Sequence, residues 1–186
     1  MTNTTLGPIE LFTARLTAVG GQVATAFDLV AAAEQIADLA QAKDTSTIWV
    51  SAEIRSRASN LVAALDRLGI TCRVPSDPAE VRDQPLGLAI AEATVAETGT
   101  SILAEPRVES RSVTLMTECL VVICPRANLL PSLTEAASVL RRISSRGASY
   151  ATFITGPSRT ADIERQLTVG VQGPGEFHVI LIDRLT

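Results

Sequence analysis

Apolar residues recur along the chain in two alternating rhythms. Over residues 8–19, Ile9, Phe12, Leu16 and Val19 repeat at helical spacing, with Pro8 suited to a first turn and Gly20 to a left-handed stop. A short apolar run follows at Gln22–Ala26, and Asp28 then offers an N-cap to a helix whose inner stripe is Leu29, Ala33, Ile36 and Ala40. Residues 47–51 (T-I-W-V-S) have the character of a buried strand. Ala58, Leu61, Val62, Leu65 and Leu68 form the next helical stripe, closed by Gly69. Residues 70–74 and 86–90 predict two further strands. Between them Asp77, Pro78 and Glu80 predict a short helix with cap, first turn and capping-box partner.

The second half continues the alternation. Residues 118–124 are a continuous apolar run, as in strands covered on both faces. Ser132 and Glu135 predict a capping box for a helix carrying Leu133, Ala136, Ala137 and Leu140, with Arg141 and Arg142 complementing its C-terminal dipole. Residues 150–154 and 177–183 (F-H-V-I-L-I-D) close the series as strands. Repeated β-α-β units predict an α/β fold, Rossmann-like, with a mostly parallel sheet flanked by helices. The 186 residues show no linker or internal repeat and predict one domain over 1–186. Regular patterning breaks down in two places, residues 94–106 and 155–175, and such places tend to be functional or strained.

Composition narrows the classes of partner. A net charge of -4 and a pI near 5.1 leave no electrostatic footprint for phosphate backbones, and aromatics at 3% supply no stacking platform, so nucleic acid is not an expected partner. No secretory signal precedes Arg15 and no apolar run approaches the ~18 residues of a membrane helix, so a cytoplasmic protein away from membranes is expected. Three cysteines are an odd set and predict reduced thiols. Cys119 and Cys124 lie an odd number of residues apart in one strand, which points them to opposite faces and away from a shared metal. With one histidine and no C-x-x-C pair, neither a zinc site nor an iron-sulfur cluster is expected, and no metal or cofactor is assigned.

Three segments carry candidate chemistry. In A-E-T-G-T (residues 96–100), Gly99 lets backbone approach a ligand, Thr98 and Thr100 offer hydroxyls, and Glu97 is the candidate catalytic acid or base; a tight turn with solvated polar groups explains the same residues. In T-G-P-S-R-T-A-D-I-E (155–164), Gly156 and Pro157 force a sharp exit. Ser158 and Thr160 supply hydroxyls there, and Arg159 supplies a fork for a carboxylate or phosphate. A cap on a short helix, with Asp162 bracing Arg159, fits that segment equally well. In G-V-Q-G-P-G (170–175), Gly173 and its neighbours suit an anion nest or a plain connection. His178, near the start of its strand, reads as structural, and neither G-x-S-x-G nor G-x-G-x-x-G is present.

T-G-P-S-R-T-A-D-I-E, then G-V-Q-G-P, then F-H-V-I-L-I-D resembles the C-terminal signature of the LUD (lactate utilization) family, of its protein C type. A-E-T-G-T, Arg111 before an apolar strand, and C-P-R-A-N-L-L-P-S-L (124–133) stand where that family has them. The resemblance implies a fold like the sugar-phosphate isomerase and CoA-transferase group. It also implies membership of a system oxidising L-lactate to pyruvate with iron-sulfur and cysteine-rich partner proteins, in which this chain is the non-redox part. Gln172 stands where the family commonly has histidine, and little precedes Ile9. From these readings the expected role is a subunit binding a small anionic metabolite through Thr98, Gly99, Thr100, Arg111, Gly156, Ser158, Arg159, Thr160, Asp162 and Gly173. A stand-alone enzyme with Glu97 as base and a purely structural interaction module are the alternatives, and homo-oligomerisation stays open.

Overall fold

In the computed structural model, described over residues 6–147, 150–161, 167–169 and 173–185, six strands form one parallel sheet. The elements in chain order are α1 (Pro8–Ala18), β1 (Gln22–Ala26), α2 (Leu29–Ala42), β2 (Thr47–Val50), α3 (Ala52–Arg57), α4 (Ser59–Arg67), β3 (Thr71–Arg73), β4 (Leu86–Ile90), β5 (Ala93–Val95), β6 (Thr100–Ala104), α5 (Val108–Met116), β7 (Cys119–Pro125), β8 (Leu129–Leu130), α6 (Ala136–Ser145), β9 (Ala151–Ile154), β10 (Arg159–Ala161), β11 (Leu167–Val169) and β12 (Glu176–Ile182). The parallel sheet runs in the order β1-β12-β7-β4-β2-β3. Its inner strands β4, β7 and β12 are buried along almost their whole length, which is why they read as unbroken apolar runs.

Both faces of that sheet are covered. On one, α2 and α4 press Leu29, Ile36, Leu61 and Leu65 onto Val50, Leu88, Val121 and Ile180. On the other, Phe12 and Leu16 of α1 pack with Leu120, Val122, Phe177 and Val179. Cys119 belongs to the first cluster and Cys124 to the second, so the two thiols face opposite sides as their spacing predicts.

A second sheet, order β8-β5-β6-β9, is not predicted by the sequence; the strand expected at 150–154 forms as β9 but pairs antiparallel with β6 here and does not join the parallel sheet. The strands of this second sheet are two to five residues long, and most of their pairing is antiparallel. Residues 94–106 show no alternating period because β5 is three residues long and β6 is buried at all five positions, polar residues included. The sheet packs Leu103 and Ala96 towards α1, while Val95, Ile102 and Ala104 meet Val139 and Ile143 of α6.

Several local expectations are corrected. The stripe from Ala58 to Leu68 is not one uniform helix face: the backbone breaks at Ala58 (φ -142, ψ 46) between α3 and α4, and Leu68 is exposed. Asp77 caps a single 3₁₀ turn (Pro78–Val81) through Ala79 N–H at 2.7 Å, and Glu80 reaches back to Ser76 instead of the cap residue. Ser132 makes no cap bond, because a 3₁₀ turn (Leu133–Glu135) precedes α6 and Leu133 N–H donates to the Glu97 carboxylate at 2.9 Å. Asp28 does cap α2, accepting from Val30 and Ala31 N–H. Among the described residues no helix is long and apolar enough to cross a membrane.

Gly99 is where the hairpin of the second sheet presses against α1. It has φ +70, and an added Cβ would lie 2.7 Å from Leu16 N and 3.0 Å from the Arg15 carbonyl carbon, both rigid helix backbone. Gly69 has a similar φ of +79 with nothing within 4 Å. Gly99→Ala is therefore expected to cost roughly 2–3 kcal/mol, backbone strain plus displacement of α1, against about 1 kcal/mol for Gly69→Ala. Thermal unfolding of the two variants checks this; equal losses would mean that contact with α1 contributes nothing.

Candidate functional site

The three segments singled out in the sequence meet at the C-terminal end of α1. Residues 96–100 form the turn of the β5–β6 hairpin, closed by Gly99 N–H to Val95 C=O at 2.9 Å. The turn does not lie beyond the C-terminal edge of the parallel sheet, because β5 belongs to the second sheet. The glycine serves contact with α1. Thr98 Oγ1 lies 2.7 Å from Thr100 Oγ1, which lies 2.7 Å from Thr155 Oγ1, so a chain of hydroxyls joins the hairpin turn to the segment after β9. Gly156 (φ +80) abuts Val19, where a Cβ would come 2.8 Å from the Val19 side chain. Ser158 N–H donates to Pro174 C=O at 2.8 Å and Gly173 lies against the Ser158 side chain, which brings in the third segment. Since α1 ends just before β1 and Gly173 to Gly175 just precede β12, the cluster sits at the N-terminal ends of those parallel strands.

Most charged members of this cluster hold the fold together. The Arg159 guanidinium donates to Val19 C=O, the exposed carbonyl at the end of α1. The Glu97 carboxylate caps the turn ahead of α6. Arg111 lies on α5, away from the loops; it donates to the carbonyls of Glu105 and Pro106 and stacks on the Tyr150 ring at 4.3 Å. The backbone of Thr160 pairs in β10 with Thr168, while Asp162 and Gln172 lie outside the described residues.

A second polar cluster stands at the opposite end of the sheet and escaped the reading of the sequence. The chain changes its direction of travel through the sheet between β2 and β4, the place where open α/β sheets leave a crevice beyond the strand C-termini. Glu92, just after β4 and 4% exposed, sits there. Its carboxylate meets Arg57 at 2.8 Å, Arg146 at 3.1 Å and Arg142 at 4.0 Å, and its carbonyl accepts from Asn128. Three guanidinium groups around one carboxylate leave an excess of positive charge. Ser51, directly after β2, is fully buried, and its hydroxyl has no partner among the described residues. An acid just after an apolar strand and arginines four apart at the end of α6, Arg142 in its last turn and Arg146 at its C-cap, were the legible signals; only the fold brings them together.

Glu105 is the other unusual acid. It is 1% exposed, Thr114 Oγ1 donates to Oε2 at 2.8 Å, and Oε1 has no partner among the described residues. Burial pushes its carboxyl from 4.5 up to about 8, with the Thr114 bond opposing and Glu53 repulsion adding to the shift. Burial also raises the thiols of Cys72 to about 11 and of Cys119 and Cys124 to about 12, so all three are protonated at neutral pH and poor nucleophiles. His178 is pushed down by burial, with Glu176 opposing.

The model of the LUD domain matches residues 9–182. The chain belongs to the LUD domain family. It is 37% identical over 100 residues to lactate utilization protein C of Bacillus subtilis, covering 52% of this chain and 42% of that protein. To lactate utilization protein C of Shouchella clausii it is 37% identical over 109 residues, 58% of this chain and 47% of that one. The matched stretch thus spans less than half of either relative. A DUF162-family protein from Deinococcus radiodurans shares the fold, with a TM-score of 0.66 at 19% identity over 96% of this chain and 99% of that one. The mostly parallel, helix-flanked sheet read from the sequence is the fold of this LUD chain.

The Glu105 carboxyl yields a pH dependence of stability. Its folded value exceeds its unfolded one, so the native state holds the proton more tightly, and the associated stability is full below 4.5 and lost as pH rises to about 8. Glu105→Gln, which keeps the size and an acceptor for Thr114, is expected to flatten the fall in unfolding free energy over that window by a few kcal/mol. Urea unfolding of both proteins at pH 5 to 8 measures it; parallel curves would remove Glu105 as the cause.

Proposed function

We propose that this LUD chain is a non-redox component of L-lactate utilization. In this reading it works in the cytoplasm beside iron-sulfur and cysteine-rich proteins that oxidise L-lactate to pyruvate, and it binds a small carboxylate where its three loops meet. The observation that carries the reading is the convergence of residues 97–100, 155–159 and 173–175, the segments that resemble the family, around the end of α1. Thr98, Thr100 and Ser158 supply hydroxyls, and Arg159 supplies a charged fork anchored by one of its five N–H groups. The names of the relatives supply the metabolic setting. Buried, protonated thiols favour a subunit that leaves electron transfer to partners. A stand-alone enzyme with Glu97 as general base is disfavoured, because its carboxylate is engaged by Leu133 N–H.

Capture of the tagged full chain from its own cells, with iron content and lactate-dependent dye reduction measured on the eluate, tests the assignment. Iron-containing partners with activity only in the complex are expected; an iron-free chain with no lactate-dependent reduction overturns it. Ser158→Ala, which leaves the Ser158 N–H bond to Pro174 intact, is expected to keep the melting temperature within about 2 °C. It should weaken L-lactate or pyruvate binding by calorimetry about tenfold, the loss of one hydrogen bond to a charged group. Unchanged affinity would remove the loop cluster as the carboxylate site.

A further inference from the structure

Strands β7 and β12 begin side by side, and their register sets Glu176 opposite Cys119. Side chains two apart on a strand share a face, so His178 joins Glu176 and Cys119 on the face beneath α2. One ligand-type atom from each, the Cys119 Sγ, a Glu176 carboxylate oxygen and a His178 ring nitrogen, lies within 4.8 Å of the other two. Cys119 is fully buried. His178 Nε2 is buried with no hydrogen-bond partner among the described residues, and Glu176 Oε2 stands 3.6 Å away. Lys43, at the C-terminal end of α2, holds the other carboxylate oxygen, Oε1, at 2.8 Å and so orients Oε2 toward the histidine side of the group.

A thiol, an imidazole and a carboxylate converging from a rigid sheet are the donor set that zinc-class cations take, and three protein ligands leave the fourth tetrahedral position open. His178 also lines a cleft of about 440 Å³ between β1, β12 and α2, walled by Val23, Ile36, Leu39, Val121 and Val179. Gln35 Oε1, on the same cleft, is a second buried acceptor without a partner among the described residues.

We propose that Cys119, Glu176 and His178 form a binding site for a zinc-class divalent cation, with water or a small anion from the cleft completing the coordination. On loading, Sγ, Oε2 and Nε2 become the ligands, the Cys119 thiol releases its proton to solvent, and Lys43 keeps Oε1 as a positioning partner. No metal motif marks this trio in the sequence, because Cys119 comes from a strand remote in sequence from Glu176 and His178. This site is independent of the carboxylate-binding loops and of any role in lactate utilization.

The test uses the purified full chain, stripped with chelator and titrated with Co(II), then back-titrated with Zn(II). One equivalent of Co(II) is expected to give a thiolate-to-cobalt charge-transfer band and intense tetrahedral d–d bands, both bleached by zinc. Cys119→Ser removes the charge-transfer band, His178→Gln and the surface change Glu176→Gln each weaken binding at least about tenfold, and Cys72→Ser leaves both band and affinity unchanged. Should Cys119→Ser fail to fold by circular dichroism, His178→Gln and Glu176→Gln decide. No band in the unmodified chain, a band surviving in folded Cys119→Ser, loss of the band in Cys72→Ser, or undiminished affinity in His178→Gln and Glu176→Gln overturns the proposal.

Discussion

The junction of the two sheets depends on α1, a helix held between them. Phe12 and Leu16 are fully buried, touching the inner strands of the parallel sheet on one side and Ala96 and Leu103 of the smaller sheet on the other. An apolar face that wide cannot be left in water, so the second sheet is the cover that lets β4, β7 and β12 be apolar on both faces. The helix must also end cleanly where two sheets approach it. Arg159 reaches across to the Val19 carbonyl, and Gly99 and Gly156 supply the absence of a side chain that close approach requires.

That arrangement explains why residues with an apparent chemical purpose are largely engaged in architecture. Arg159 caps a helix end, Glu97 caps the approach to α6, and Arg111 braces the segment before α5 while stacking on Tyr150. Hydroxyls and glycines at the same junction link the hairpin turn to the segment after β9 and let both approach α1. Caps and anion sites draw on the same residue types because both satisfy exposed backbone N–H and C=O groups.

Polar groups elsewhere sit at the two ends of the parallel strands. At the N-terminal ends of β7 and β12, Cys119, Glu176 and His178 face α2, with Lys43 on the carboxylate. At the C-terminal end of β4, Glu92 gathers Arg57, Arg142 and Arg146, and at that of β2 the Ser51 hydroxyl is buried without a partner among the described residues. A rigid sheet with both faces filled leaves its ends as the places where polar side chains converge, which is why both clusters appear at strand termini.

Much of the fold was legible in the chain because burial of strands and helix faces leaves a local period. The sequence by itself determined α1 with its stop at Gly20, the cap of α2 at Asp28, the strands of the parallel sheet, and the opposite facing of Cys119 and Cys124. It also carried the LUD resemblance, since the residues of residues 155–183 are contiguous. Only the tertiary structure decided the second sheet, whose strands are short or buried at every position and so show no alternation, and the backbone break at Ala58 between α3 and α4. It alone decided the partners of Glu97, Arg159 and Glu92, and the meeting of Cys119 with Glu176 and His178. The physical reason is the same in each case. Periodicity records which face of an element is buried, whereas the partner of a polar group depends on which distant segment packing delivers to it.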